Sequence, residues 1–103
     1  MSCILYMTSF LYAEIRTFRQ LYERVPSKRL SSIPRQQTFN RTAEQCAELC
    51  VKQEDYLCKS FDVNNERKAC ILFMVDHEDN DVRLIDDVTV DHYQSRFHAI
   101  IHR

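Results

Sequence analysis

Apolar and polar residues alternate along this chain in short words, and each word carries its own element signal. The segment "AEQCAELCVKQ" places Ala43, Cys46, Leu49 and Cys50 at helical spacing on one face, behind a Thr42…Gln45 capping box. A helix from Ala43 to Gln53 is predicted. The next word, "YLCKSFDV", alternates with period two: Cys58 and Ser60 fall on one side, Leu57, Lys59, Phe61 and Val63 on the other. The polar "NNERK" at Asn64 to Lys68 reads as a turn in which Asn takes the left-handed backbone. "ACILFMV" from Ala69 to Val75 reads as the return strand. This reading puts two cysteines on a helix and one on each strand of a hairpin.

Upstream, "FRQLYERVPSKRL" carries apolar residues at Phe18, Leu21, Tyr22, Val25 and Leu30, with Pro26 forbidding a continuous helix. It predicts one or two extended edge strands broken at Val25-Pro26. "SSIPRQQ" then reads as a polar loop. Downstream, "VRLIDDVTV" leads into "HYQSRFHAII", a last strand that returns Tyr93 and Phe97 to the sheet.

Length and composition limit what these elements can build. At 103 residues the chain holds one modest core. It has no Gly, so every tight turn must use Asn, Asp, Ser or Pro. The formal net charge of -1 hides an uneven distribution. Residues 1–41 carry seven Lys or Arg against two Glu, and residues 42–103 carry seven against thirteen acids. No run is dense enough to suggest nucleic acid as a partner. The apolar stretch Cys3 to Ala13 is shorter than the roughly 20 residues of a membrane-spanning helix. Residues 1–17 are read as a signal peptide or another non-domain segment, with no insertion of the chain into a membrane.

Four of the five cysteines fall within Cys46 to Cys70, with spacings of three, seven and eleven intervening residues. Zinc knuckles place cysteine pairs two to four residues apart on turns, and here the first pair lies inside a helix. A nucleophilic cysteine requires a positioned histidine, yet His77, His92, His98 and His102 all lie outside the block. Two disulfides remain as the reading, and spacing leaves all three pairings open. "DHEDND" faintly echoes a calcium loop through Asp76, Glu78, Asn80 and Asp87, but Asp81 occupies the position where Gly is wanted. His98 and His102 lack a third ligand. No catalytic residue, metal or cofactor is assigned. "NRT" at Asn40 to Thr42 is an N-glycosylation sequon.

The ordered set "YERVPSKRL", "TAEQCAELC", "CKSFDV", "ACILF" and "DHYQSRF" resembles a PAN module, the family that includes the apple domains. It is similar to the PAN modules of invertebrate secreted and cuticle-associated proteins. The resemblance spans residues 18–98, leaving 99–103 as a tail. It implies an α+β fold, a curved antiparallel sheet of about five strands packed on one disulfide-linked helix. It also implies pairing of Cys46 with Cys70 and of Cys50 with Cys58. The third disulfide of the apple subtype has no cysteines here, and Cys3 is left over.

The implied role is a non-catalytic extracellular module that binds protein or carbohydrate within a larger secreted or membrane-anchored protein. The candidate surface is the basic group Arg24, Lys28, Arg29, Arg35 and Arg41, suited to a sulfated glycan or an acidic protein face. The alternatives are a matrix or cuticle component with no ligand of its own, and a small intracellular Cys-zinc protein.

Overall fold

The computed structural model describes residues 21–96. The elements are β1 (Tyr22–Val25), β2 (Lys28–Leu30), β3 (Gln36–Phe39), α1 (Ala43–Val51), β4 (Ser60–Asn64), β5 (Ala69–Phe73), β6 (Leu84–Asp86) and β7 (Val90–Ser95). Five strands form one sheet in the order β1-β7-β4-β5-β3, and β2 pairs with β6 in a second, two-stranded sheet. Every pairing is antiparallel. The α+β architecture expected from the sequence is therefore present.

Pro26 breaks the first extended segment, as its missing N–H requires, and Ser27 turns the chain with φ 58°. The turn sends β2 away from the main sheet. The helix begins as predicted: Thr42 Oγ1 accepts from Gln45 N–H, and the Gln45 side chain accepts from Thr42 N–H. It ends at Val51 rather than Gln53, because the chain must turn back within a few residues for Cys58 to reach Cys50.

Three other expectations are corrected. Gln36 and Gln37, read as loop, belong to β3, an edge strand paired only with β5. An edge position needs no apolar alternation, so the strand left no periodic signal. In the β4–β5 turn the left-handed residue is Lys68 (φ 54°), while Asn64 acts through its side chain, whose Oδ1 accepts from Glu66 and Arg67 N–H. Cys58 lies ahead of β4 and leaves the predicted alternation, since it turns toward the helix whereas Ser60, its supposed face-mate, does not. Phe97 lies outside the described residues, as do His98, His102 and the segment 1–17.

Register and side-chain alternation divide the main sheet into two faces. Facing α1 are Tyr22, Phe61, Val63, Cys70, Leu72 and Tyr93, which with the helix residues Cys46, Ala47 and Cys50 form the apolar core. Phe61 is stacked on Tyr93 at 4.9 Å between ring centroids and meets Tyr22 edge-on at 5.1 Å. The opposite face presents Ser60 and Asp62 from β4 beside Gln94 and His92 from β7. All four are buried, and β2 packs against β7 near them.

Candidate binding surface and the buried polar face

The two disulfides tie the helix to β5 and to the segment that leads into β4. Cys46 on α1 bonds to Cys70 on β5, with Cα atoms 5.7 Å apart. Cys50, one turn later, bonds to Cys58, with Cα atoms 5.2 Å apart. The i, i+4 spacing puts both helical half-cystines on the face that meets the sheet. All four sulfurs are thereby spent, and a thiolate zinc site has no ligands among them. An apolar cleft of about 280 Å³ lies beside the second disulfide, lined by Leu21, Tyr22, Val51 and Leu57, and no charged side chain enters it.

Of the five candidate basic residues, three are drawn into ion pairs. Arg24 Nη2 lies 2.9 Å from Asp91 Oδ2, and the same carboxylate accepts from Ser27 N–H at 3.0 Å and Asn65 Nδ2 at 3.2 Å. Burial alone would raise the pKa of Asp91, but these hydrogen bonds outweigh it and hold the carboxyl below its ordinary value. Lys28 pairs with Asp86 across the small sheet. Arg29 Nε stands 3.6 Å from Asp87, whose pKa is lowered chiefly by hydrogen bonds from the Thr89 hydroxyl and backbone N–H. Arg35 instead lies over the Tyr56 ring, 4.7 Å from its centroid, with its charge free to meet solvent. Arg41 forms no ion pair among the described residues, and its Nε is buried without a hydrogen-bond partner.

Arg41 has cationic neighbours that chain order conceals. Asn40 and Arg41 N–H both point at the Lys68 carbonyl, at 2.9 and 3.5 Å. This brings exposed Arg67 and Lys68, at the tip of the β4–β5 turn, to the segment that enters the helix. Asn40 is exposed there in the left-handed conformation, with φ 59°.

The acidic loop uses its carboxylates on its own backbone and on Lys59. Asp76 is buried and accepts from Glu78 N–H, while Asp79 accepts from Asp76 N–H and from Lys59 Nζ. Asp87 lies apart from them in the turn before β7, bonded to Thr89. Asp81 does take the left-handed backbone, with φ 66°. Among the described residues no group of three or more His, Cys, Asp or Glu is arranged to hold a metal.

The sequence reading passed over one constellation. Asp62 and His92 face each other in register on β4 and β7, with Oδ1 and Nδ1 2.7 Å apart. Both are fully buried. Asp62 Oδ2 also accepts from Leu30 N–H at 2.9 Å, which bolts the small sheet onto the large one. His92 Nε2 is buried without a partner, and the His77 ring stands edge-on at 6.1 Å. The available signal was the pair of polar positions, Ser60 and Asp62, within a strand otherwise destined for the core.

The fold and its bonds can be set beside known proteins. No curated protein matches the chain. A family model described as the PAN domain matches residues 21–97, most of the chain, and takes in both disulfides and all five strands of the main sheet. The chain therefore belongs to the PAN domain family.

Proposed function

We propose that the chain is a non-catalytic extracellular module that makes protein–protein or protein–carbohydrate contacts as one part of a larger secreted or membrane-anchored protein. PAN membership carries the reading. Two disulfides spanning helix and sheet support an oxidising compartment. The partner is an anionic one, a sulfated glycan or an acidic protein face, and its candidate contacts are Arg24, Lys28, Arg29, Arg35 and Arg41, with Arg35 and Arg41 flanking β3 at one edge of the main sheet and Arg24 on β1 at the other. Within that group the ion-paired Arg24, Lys28 and Arg29 are already partly neutralised, whereas Arg35 and Arg41 keep full charge.

Retention on immobilised heparin tests this. Arg35→Ala with Arg41→Ala should lower the salt needed for elution more than Lys28→Ala with Arg29→Ala. Elution at unchanged salt in both double variants removes the anionic partner and favours the alternative, a structural matrix or cuticle component without a ligand of its own.

A further inference from the structure

We propose that Asn40 accepts an N-linked glycan, and that this glycan masks the cations gathered around it at the β4–β5 turn. The inference rests on the extracellular reading above, because the modification belongs to the secretory route. "NRT" is the only sequon in the chain. Many such triplets are lost to burial or to a regular element, and this one is not. Asn40 is exposed and lies between β3 and α1, and its left-handed φ of 59° is one that Asn adopts readily. Its backbone N–H is already satisfied by the Lys68 carbonyl at 2.9 Å, so the turn needs nothing from the side chain. Thr42 supplies the sequon hydroxyl in the unfolded chain and the helix cap in the folded one, which lets one residue serve both steps in succession.

In the coupling step Asn40 Nδ2 bonds to the anomeric carbon of a lipid-pyrophosphate-linked oligosaccharide. The anomeric carbon–oxygen bond breaks, the lipid pyrophosphate leaves with the electron pair, and the amide gives up one proton. The attached sugar stands next to Arg41, Arg67 and Lys68, none of which is ion-paired among the described residues. Glu66 shares the turn and Glu44 the first helical turn, so the cluster is only mildly cationic and bulk is the effective mask.

The test expresses the full chain behind a cleavable secretion signal in a eukaryotic host and has two readouts. The first is intact mass before and after an amidase that removes N-glycans. Wild type and Thr42→Ser should lose mass, and Asn40→Gln should not. A wild-type chain that emerges folded and disulfide-bonded with no glycan at Asn40 overturns the assignment. The second is the rate at which an amine-reactive ester labels Lys68, with Lys52 at the far end of the helix as internal reference. Labelling of Lys68 should be several-fold slower in the glycosylated form than in Asn40→Gln, with Lys52 unchanged, and equal rates overturn the masking. Neither readout uses an anionic ligand, and because the glycan would cover Arg41 the heparin comparison is made on Asn40→Gln protein, so failure on heparin and failure here are separate events.

Discussion

The two faces of the main sheet are buried alike and held differently. Toward the helix, Phe61, Tyr22, Tyr93 and Leu72 pack as an apolar layer crossed by two disulfides. Toward the small sheet, Ser60, Asp62, His92 and Gln94 are buried, with Asp62 at the centre of the hydrogen bonds to His92 and Leu30 N–H, while Gln94 Oε1 and His92 Nε2 have no hydrogen-bond partner. The first kind of attachment is non-directional and covalent. The second is directional, and it fails when one partner is removed. A small domain can thus cover both sides of a sheet with little apolar material, provided crosslinks secure one side.

The largest expected effect comes from breaking the covalent face. In the loop-entropy treatment the Cys46–Cys70 link contributes about 3.5 kcal/mol and the Cys50–Cys58 link about 2.6 kcal/mol, in keeping with their sequence separations of 24 and 8. Together they rival the whole stability of a typical domain, about 5 to 15 kcal/mol. Excess reductant should therefore abolish the near-UV circular dichroism signal. Removing the longer link alone, as Cys46→Ala with Cys70→Ala, should lower the denaturant midpoint more than Cys50→Ala with Cys58→Ala. A native near-UV spectrum in reductant would mean that the apolar layer suffices without its crosslinks.

The polar face should break in a different manner. Asp62→Ala leaves the Leu30 N–H and the His92 Nδ1 buried without hydrogen-bond partners, at a cost of about 3 kcal/mol. Asp62→Leu combined with His92→Leu should cost less than Asp62→Ala, because both polar groups leave together and only Leu30 N–H is stranded. Amide exchange at Leu30 and Ser31 should accelerate in Asp62→Ala before exchange at Phe61 or Leu72 does, since the small sheet is what Asp62 anchors. Uniform acceleration across both sheets would show that the faces do not open independently.

The same contrast explains what could be read in advance. The helix, the β4–β5 hairpin and the Pro26 break were legible because capping, period-two alternation and the missing proline N–H act within a few residues. The disulfide pairing came from family resemblance, since spacing alone leaves three pairings. The polar face was not legible: Asp62 in "SFDV" resembles any solvent-facing strand residue until β7 brings His92 opposite it, 30 positions away. Edge strand β3 was missed because polar Gln36 and Gln37 suffice where only one neighbour exists. The basic group was legible as composition only. Which of its members are ion-paired depends on acids that lie more than 50 positions away, at Asp86, Asp87 and Asp91.

At the rim of the apolar face the interaction is electrostatic and largely wet, so the smallest effect is expected there. Arg24 reaches Asp91 with a side chain that is 57% exposed, and solvent screens the pair to below about 1 kcal/mol. Asp91 is nonetheless held below the ordinary aspartate value by hydrogen bonds from Ser27 N–H, Arg24 and Asn65, which outweigh its burial. A carboxyl depressed in the folded state takes up its proton in the unfolded chain first. Its contribution is therefore complete above about pH 3.9 and is lost as pH falls from there through the lower folded value. Asp91→Asn should flatten this acid limb of the stability curve and leave the near-neutral plateau less affected by Arg24→Ala than in wild type. Because Ser27 N–H and Asn65 still bond to the carboxylate when Arg24 is removed, Arg24→Ala alone should shrink the limb without abolishing it. Denaturant midpoints between pH 2.5 and about 7, a range set around the ordinary aspartate value, measure both. An acid limb as steep in Asp91→Asn as in wild type would move the responsible carboxyl elsewhere, with Asp87, also depressed by its own turn, next to be tested.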